Sequence, residues 1–222
     1  MNERCIAIGD IHGCADALRA IVDAIAPQAS DVIVVLGDVI DRGPHSRQVL
    51  EQLLELRQHC TLKCVLGNHE EMFLQVIRGQ TPPHRWVQFG GASMLDSYGF
   101  AGDLSVIPSE HVDFIASFED FIEDDGHFYV HANYEAALPL VEQKSLWLRW
   151  ISLDQTLPAP HVSGKIAIVG HTPDKSGEIL SLRHLKCIDT YCYGGKWLTA
   201  LDVNTGKLWQ ASDEGVLRTA RT

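Results

Sequence analysis

The sequence predicts an α/β fold built as a single domain over residues 1–222. Three observations lead to this class. Short apolar strands alternate with helical segments through the N-terminal half, short apolar runs dominate the last third, and no linker-like run of Ser, Gly or Pro divides the chain. A chain of 222 residues can bury about 70% of its unfolded surface, so one domain of this size needs no disulfide or metal to fold.

The N-terminal half alternates between buried strands and amphipathic helices. Apolar residues at positions 17, 18, 21, 22 and 25 repeat with the helical period, and Pro27 follows them. Two similar helical segments occur farther along, each after an apolar strand. This alternation predicts βαβ units with parallel strands. The predicted strands and helices, in chain order, are Cys5–Ile8, Cys14–Ala26, Val32–Leu36, Gln48–Leu56, Leu62–Leu66 and Glu70–Ile77.

The rest of the chain has a different character. A loop-rich stretch is predicted from Thr81 to Asp103, followed by a helix with Ser109 as its N-cap. Asp124-Asp125-Gly126 is predicted to be the turn of a hairpin between Phe118–Glu123 and His127–Val130. Turn residues separate the later apolar runs, which predicts a meander that completes a second sheet. These later strands are Ile166–Val169, Leu185–Ile188, Leu198–Val203 and Leu208–Ala211.

Charge and hydropathy exclude several classes of partner. The chain has 18 basic and 29 acidic residues, a formal net charge of −11, whereas nucleic-acid and membrane-surface binders carry basic faces. The longest aliphatic run, Val32–Leu36, is far below the roughly 18 residues of a membrane span, and the N-terminus lacks a signal-peptide pattern. We expect a cytoplasmic monomer that binds neither nucleic acid nor membrane. The negative net charge does not exclude an anionic substrate, because bound metal ions can make the local charge at a site positive.

The six cysteines are predicted to be reduced thiols in the core. None forms a CxxC pair, and Cys5, Cys64 and Cys187 lie inside apolar runs. The spacing of Cys60 and Cys64 allows half of a zinc site, but the sequence offers no convincing second half. A disulfide or a reactive thiol is the remaining alternative.

One local pattern recurs at the ends of the predicted strands. A Gly follows the strand, and a side chain that can ligate a metal comes next; a fifth strand ends directly in such a residue. Because ligands bind beyond the carboxyl ends of strands in open α/β sheets, this repetition predicts a metal site at one edge. The segments are Gly9-Asp10-Ile11-His12-Gly13, Gly37-Asp38, Gly67-Asn68-His69, Gly170-His171 and His131.

The donor types indicate which metals the site would take. Each candidate residue taken alone is more often an ordinary surface or core residue, so the prediction rests on the repetition. Oxygen and imidazole donors without thiolate suit Mn, Fe, Zn or Co more than Ca or Mg alone. Six ligands are too many for one tetrahedral site and fit two ions about 3.5–4 Å apart that share a carboxylate. The six candidates are Asp10, His12, Asp38, Asn68, His131 and His171.

The same residues carry a family resemblance. Three motifs match in order and spacing, and His131 and Gly170-His171 resemble two further metal-ligand motifs. Together they resemble the phosphoprotein phosphatase family within the calcineurin-like metallophosphoesterases, in particular its small bacterial and bacteriophage lambda-type members. The resemblance covers nearly the whole chain and implies two packed mixed β-sheets flanked by helices. The three motifs are Gly9-Asp10-Ile11-His12-Gly13, Gly37-Asp38-Val39-Ile40-Asp41-Arg42-Gly43 and Gly67-Asn68-His69-Glu70.

The resemblance implies a dinuclear metal centre. One divalent ion would be held by Asp10, His12 and Asp38, and Asp38 would bridge to the second ion. Manganese is the first expectation, with Fe, Zn, Co and Ni as alternatives. The remaining ligands of the second ion would be Asn68, His131 and His171.

The resemblance also implies roles for four residues that do not bind metal. His69 would be the general acid that protonates the leaving alkoxide, and Asp41 would orient it. Arg42 would bind phosphate oxygens, for which the planar guanidinium is well suited. Arg149 is the best match to a second phosphate-binding arginine, and its alternative is a surface salt-bridge residue.

Two positions depart from the family pattern. Asn133 stands where the family usually has Gly after the fourth motif, and Asn tolerates a left-handed backbone better than most residues. The segment Asp189-Thr190-Tyr191 resembles the Asp-Thr-Gly segment of bacterial relatives, with Tyr191 in the position of the Gly. Tyr191 either lies near the pocket and alters substrate fit or packs in the core.

Three functional hypotheses follow from these residues. The leading one is a metal-dependent phosphomonoesterase, a serine/threonine protein phosphatase, that acts by direct attack of a hydroxide bridging two metals. Its substrate would be a phosphoprotein or a small phosphoester. The alternative is a symmetrical dinucleoside tetraphosphate hydrolase, which the same motifs also resemble, although its extra C-terminal length is missing here. The third is an inactive phosphoprotein-binding scaffold, which predicts a missing ligand or acid, and none is missing.

Overall fold

A computed structural model describes residues 4–218 and contains two five-stranded mixed β-sheets. The first sheet has the order β10-β9-β1-β2-β3 and the second the order β4-β5-β6-β8-β7. The strands are β1 Cys5–Ile8, β2 Val32–Val35, β3 Thr61–Cys64, β4 Ile122–Glu123, β5 His127–Tyr129, β6 Ile166–Val169, β7 Leu180–Ser181, β8 Leu185–Cys187, β9 Leu198–Asp202 and β10 Leu208–Ala211.

Helices flank the sheets, which confirms the predicted α/β class. The α-helices of five or more residues are α1 Ala15–Ile25, α2 Ser46–Leu56, α3 Asn68–Ile77, α4 Ala92–Ser97, α5 Ser109–Ala116 and α6 Ser145–Arg149. Shorter helical segments are His84–Trp86, the π-helical Val87–Gly91, Leu104–Val106, Leu140–Glu142 and Cys192–Gly194. Among residues 4–218, no helix is long and apolar enough to cross a membrane.

The N-terminal half folds as the alternation predicts. Strand β1 pairs in parallel with β2, and β2 pairs in parallel with β3, through crossovers that contain α1 and α2. Helix α1 buries Ala17, Leu18 and Ile21 on the predicted face. Helix α5 begins at Ser109 itself, so the predicted N-cap is the first helical residue and Pro108 precedes it. The hairpin of β4 and β5 is antiparallel, as expected.

Two sequence-based expectations are wrong. Strands β9 and β10 join the first sheet, where β9 is antiparallel to β1, so only β6, β7 and β8 of the C-terminal third belong to the second sheet. All five residues of β9 are buried, as expected for a central strand covered on both faces.

The stretch from Thr81 to Asp103 is largely helical rather than loop, because Trp86 and Met94 are buried and anchor it to the core.

The two sheets pack face to face. A cluster of buried apolar side chains from both sheets fills the space between them, including Val34 and Leu201 from the first sheet and Tyr129 and Ile168 from the second. Burial of apolar side chains on both facing surfaces stabilises this packing at about 25 cal/mol per Å². It brings the carboxyl ends of β1, β2 and β3 next to those of β5 and β6.

All six cysteines are free thiols, and five of them are buried. Cys5, the partly exposed one, lies 3.0 Å from the hydroxyl of Tyr129. Within residues 4–218, no metal-binding group includes Cys60 or Cys64. These observations fit the prediction of reduced core thiols.

Candidate active site

The predicted ligands meet where two sheets adjoin, rather than at one edge of a single sheet. Asp10, His12, Asp38 and Asn68 follow strands of the first sheet, and His131 and His171 follow β5 and β6 of the second. All six are buried except His171, which is partly exposed. The site therefore depends on the packing of the two sheets against each other.

The loops that carry the site hold an unusual backbone conformation. Seven non-glycine residues within residues 4–218 have positive φ, and five of them are predicted site residues. Left-handed backbone costs a non-glycine residue of order 1 kcal/mol or more and persists where surrounding contacts determine it. The five are His12 (φ 44°), Asp38 (47°), Asp41 (69°), Arg42 (64°) and His171 (63°).

Backbone carbonyls orient the three histidines of the proposed ligand set. His12 Nδ1 lies 2.9 Å from the Ile40 carbonyl oxygen and His131 Nδ1 lies 2.7 Å from that of Leu36. His171 uses the other ring nitrogen, Nε2, which lies 3.3 Å from the Trp150 carbonyl oxygen. Such contacts to the outer nitrogen fix the ring and turn the remaining nitrogen toward a metal position.

The remaining nitrogens converge on Asp38. His12 Nε2 lies 3.3 Å from Asp38 Oδ2, and His131 Nε2 lies 3.4 Å from Asp38 Oδ1. Two groups of potential ligands result, each with donor atoms within 4.8 Å of one another. Asp38 is common to both groups, which is the geometry that a bridging carboxylate requires. The groups are His12, Asp38 and His69, and Asp38, His131 and His171.

Asn68 and Asp10 complete the surroundings of these groups. Asn68 Oδ1 lies 3.1 Å from His131 Nε2, so the amide oxygen points into the second group. The Asp10 carboxylate accepts hydrogen bonds of 3.0 and 3.2 Å from the backbone N–H of His171 and lies outside both groups. The structure thus brings five predicted ligands together and places the sixth beside them.

The surroundings of the cluster carry excess buried acid. Burial raises the pKa of Asp10, with the charge of Asp189 adding to it, and burial likewise raises the pKa of Asp189. Burial, reinforced by Asp38, raises the pKa of Glu70 to about 7. Burial is the largest cause of these shifts and neighbouring carboxylates add to it, so the ionised forms are disfavoured in the absence of a nearby cation.

A cation would balance that charge. Burial alone would raise the pKa of Asp38, but the interactions with the neighbouring His131, His69 and His12 outweigh burial and hold the pKa of Asp38 well below its ordinary value. Burial lowers the pKa of His131, but the charge of Asp38 raises it, and the net effect is a rise to about 10. The cluster therefore attracts positive charge, and its donor set fits divalent metal ions.

His69 forms a buried pair with Asp41. His69 Nδ1 lies 2.7 Å from Asp41 Oδ2, and the indole N–H of Trp86 donates to both Asp41 oxygens at 2.9 and 3.1 Å. Burial raises the pKa of Asp41 and lowers that of His69 well below its usual value. His69 Nε2 is buried without a hydrogen-bond partner and lies 3.9 Å from Asp38 Oδ2, so it faces the donor cluster.

Arg42 lies beside the cluster against an aromatic ring. Its guanidinium carbon is 4.5 Å from the centroid of the Tyr193 ring, and it donates a hydrogen bond to the Tyr193 hydroxyl. The backbone N–H of Arg42 donates to Gly90 at 3.2 Å. Gly90 has φ 118°, and a Cβ there would come within 2.8 Å of the Arg42 backbone nitrogen, so only glycine fits. Among residues 4–218, Arg42 has no acidic partner.

Arg149, the second predicted phosphate ligand, has different partners. Its guanidinium donates to the carboxylates of Glu71 and Asp120, and its side chain is buried. Among residues 4–218, no ion pair or side-chain hydrogen bond joins Arg149 to Arg42 or to the proposed metal ligands. These ion pairs match the salt-bridge alternative, with Arg149 buried and Asp120 exposed. Phosphate binding by Arg149 stays a prediction.

Several residues of the site were not assigned from the sequence. Glu70 accepts hydrogen bonds from the backbone N–H groups of Asp38 (2.8 Å), Val39 (2.8 Å) and Gly67 (3.1 Å), and so joins the loops after β2 and β3. The sequence signal that could have identified Glu70 is its position in the Gly67–Glu70 motif. Trp86 and its bond to Asp41 had no signal in the sequence.

Of the two tyrosines near residue 192, Tyr193 rather than Tyr191 contacts predicted site residues. Tyr193 contacts Arg42 and packs edge-on to His12, with ring centroids 4.8 Å apart, whereas Tyr191 packs against Tyr193. Tyr191 has φ 62°, which turns the chain between them. Asn133 is not left-handed; its side chain donates to the Thr156 carbonyl and accepts from the N–H of Tyr134, each at 2.8 Å.

Comparison with known proteins decides the family. The sequence profile of calcineurin-like phosphoesterases matches residues 4–196. The chain belongs to this family. The match includes β1 to β8 and every residue of the proposed site, and ends before β9. It confirms the broader part of the sequence-based expectation, a calcineurin-like metallophosphoesterase.

Curated relatives of this phosphoesterase are described as symmetrical bis(5'-nucleosyl)-tetraphosphatases. The protein from Janthinobacterium sp. (strain Marseille) is 33% identical over 129 residues, which are 57% of this chain and 42% of the relative. The protein from Pseudomonas fluorescens (strain SBW25) is 43% identical over 65 residues, 29% of this chain and 22% of the relative. The matched region thus spans less than half the length of these relatives.

Solved structures share the fold at low sequence identity. A putative diadenosine tetraphosphatase superposes with a TM-score of 0.72 at 20% identity and covers 94% of this chain and 93% of its own. A cold-active protein-tyrosine phosphatase of a psychrophilic Shewanella species gives 0.71 at 16%, covering 100% and 81%. A serine/threonine phosphatase from Saccharomyces cerevisiae gives 0.60 at 12%, covering 99% and 80%. These likenesses confirm the two-sheet fold.

Proposed function

We propose that this phosphoesterase hydrolyses symmetrical dinucleoside tetraphosphates to two nucleoside diphosphates. The observation that carries the proposal is the 33% identity over 129 residues to a symmetrical tetraphosphatase. This substrate class is the alternative weighed from the sequence, and the relatives support it better than the phosphoprotein substrate of the leading hypothesis. The buried cluster of acids and histidines supports a metal-dependent hydrolase for either class.

The reaction consumes one water for each tetraphosphate. The water oxygen bonds to one of the two central phosphorus atoms, and the bond from that phosphorus to the central bridging oxygen breaks. The bridging oxygen leaves with the second nucleoside diphosphate, and the proton released by the water balances the charge. Divalent ions held by the donor cluster would supply an activated water and neutralise phosphate charge.

The side chains of this chain bind and orient the substrate. Arg42 has its charge free of carboxylates and would hold non-bridging phosphate oxygens through paired hydrogen bonds. His69 Nε2 faces the cluster without a partner and would carry the proton that reaches the leaving oxygen. Asp41 accepts from Trp86 and holds the His69 ring in one orientation.

A comparison of substrates tests the proposal. Purified protein with added Mn is assayed on diadenosine tetraphosphate and on a phosphoserine peptide, and products are resolved by chromatography. We expect ADP as the only nucleotide product and a higher kcat/KM for the tetraphosphate. Chelator should abolish both activities. Formation of AMP and ATP, or a higher kcat/KM for the peptide, would contradict the proposed substrate.

A further inference from the structure

A groove of about 490 Å³ opens beside the donor cluster. It lies between helix α3, the helical segment from residue 84 to residue 91, and helix α6. Its volume is within the range of about 300–1,000 Å³ that is typical of small-molecule sites. Its walls include Met72, Pro82, Arg85, Trp86, Leu146 and Trp150, and we call it the Trp150 groove.

The walls of the Trp150 groove are shared with the proposed active site. The backbone carbonyl of Trp150 accepts from His171 Nε2 at 3.3 Å, and the indole of Trp86 donates to Asp41 at 2.9 Å. The groove therefore adjoins both the histidine side of the donor cluster and the acid pair of His69.

The groove combines aromatic and aliphatic surface with one free cation. The Arg85 guanidinium lies 5.2 Å from the centroid of the Trp150 ring and 5.8 Å from that of Phe89. Within residues 4–218 it forms no ion pair. Leu146, in the groove wall, is 55% exposed, although an apolar side chain of this size is usually covered.

The acidic residue in the groove wall does not oppose an anionic ligand. Both carboxylate oxygens of Glu71 are taken, one by Arg149 and the other by the indole N–H of Trp150 at 2.6 Å. The remaining charged side chain that lines the groove and lacks a carboxylate partner is Arg85. An anionic molecule with a flat ring therefore fits the groove better than a cationic one.

We propose that the Trp150 groove binds one nucleoside of the dinucleoside tetraphosphate. The base packs on Trp150 and Leu146, and Arg85 stacks on the base or pairs with the adjoining phosphate. This inference rests on the proposed function, because it assigns the nucleoside end of that substrate. Stacking on an aromatic side chain changes the affinity for a base by about tenfold or more, so the groove would distinguish nucleotides from simple phosphoesters.

The first test compares two substrates in three variants. Leu146→Glu and Arg85→Ala alter the groove, and Val141→Glu alters an apolar side chain that is 80% exposed and does not line it. The measured quantity is the ratio of kcat/KM for diadenosine tetraphosphate to that for p-nitrophenyl phosphate. We expect this ratio to fall about tenfold in both groove variants and to stay constant in Val141→Glu. An unchanged ratio in the groove variants would overturn the assignment.

A second measurement separates this inference from the proposed function. ADP and pyrophosphate are compared as inhibitors of p-nitrophenyl phosphate hydrolysis at saturating Mn, so the probes differ only in the nucleoside. We expect ADP to inhibit at about tenfold lower concentration, and Leu146→Glu to remove that difference. Equal inhibition in the unaltered protein would overturn the nucleoside site, even with the tetraphosphate as a substrate.

Two further outcomes are informative. If ADP inhibits selectively through the groove but diadenosine tetraphosphate is not hydrolysed, the proposed function is wrong and the nucleotide site stands. If Leu146→Glu instead lowers kcat/KM only for a phosphoserine peptide, the groove binds a peptide side chain and the nucleoside assignment is wrong.

Discussion

The two sheets contribute to the site in different ways. The first sheet supplies three loops that follow parallel neighbouring strands, and Glu70 ties two of these loops together through their backbone N–H groups. The second sheet supplies His131 and His171, each oriented by a backbone carbonyl. Asp38 is the side chain at which the two contributions meet. The ligands from the first sheet are positioned by neighbouring strands and loops, whereas the complete cluster forms only when the two sheets pack against each other.

The two predicted phosphate-binding arginines show the same contrast. Arg42, in a first-sheet loop, packs on Tyr193 and has no acidic partner among the described residues. Arg149, at the end of α6 beside the second sheet, is paired with Glu71 and Asp120. A cation without a carboxylate partner is available to an anion, whereas a doubly paired one stabilises the structure around it. Five substitutions test how far this difference between the two sides extends.

The largest effect is expected from Asp38→Asn. The carboxylate belongs to both donor groups, so its loss should remove metal from both and lower kcat by about a thousandfold or more. Metal content by elemental analysis and turnover of p-nitrophenyl phosphate provide the measurement. Asp96→Asn, an exposed position on α4, is the matched control. Retention of one tightly bound ion with near-normal turnover would mean that the two sides function independently.

The next effect concerns the proton of His69 and depends on the leaving group. A serine alkoxide is far more basic than the phosphate oxygen of ADP, so it needs a proton donor more. We expect His69→Asn to lower kcat by roughly 10²–10⁴ on a phosphoserine peptide and by less than about tenfold on diadenosine tetraphosphate. Metal content is measured alongside, because His69 also adjoins His12 and Asp38. An equal loss of kcat on both substrates would show that His69 is not the general acid.

The contrast between the arginines predicts two different kinds of loss. Arg42→Ala should lower kcat/KM by about a hundredfold, because paired charge-assisted hydrogen bonds to phosphate are lost, with little change in Tm. Arg149→Gln should instead lower Tm, by about 2–4 °C for each kcal/mol of stability lost in a protein of this length, because it leaves Glu71 and Asp120 without their partner.

A double-mutant cycle of Arg149→Gln with Glu71→Gln measures the coupling of the pair directly. We expect the double variant to lose less stability than the sum of the single variants. If Arg149→Gln is as inactive as Arg42→Ala and keeps its Tm, Arg149 binds substrate as the family resemblance implies, and the contrast between the two arginines fails.

The sequence predicts the first-sheet side well, because its signals are local. Each strand, its following Gly and its ligand lie within a few residues, as in the segment from Ile8 to His12. The assignment of β9 failed because a strand buried on both faces carries no alternation that identifies its neighbours. The partners of Arg149 are 78 and 29 residues away, so no local pattern could reveal them. Tyr193 was missed because its partner Arg42 is 151 residues away in sequence, so no local pattern links them.

The smallest effect is expected from Tyr193→Phe, which tests how much the Tyr193 hydroxyl contributes to the orientation of Arg42. The ring remains under the guanidinium, and only the hydroxyl that accepts from Arg42 is removed. The guanidinium then loses one of the contacts that orient it, while its charge and the cation–π contact persist. We expect KM for diadenosine tetraphosphate to rise about three- to fivefold with kcat nearly constant, since one part-exposed hydrogen bond contributes about 1 kcal/mol.

Tyr191→Phe is the matched control for this change. Tyr191 packs on Tyr193 with ring centroids 4.8 Å apart, and its hydroxyl has no hydrogen bond among residues 4–218. It should therefore leave KM unchanged. A rise in KM in both variants would indicate that the two rings act as one packed unit. A loss in kcat alone for Tyr193→Phe would place the hydroxyl at the reacting phosphate, because a contact made only in the transition state changes kcat and not KM.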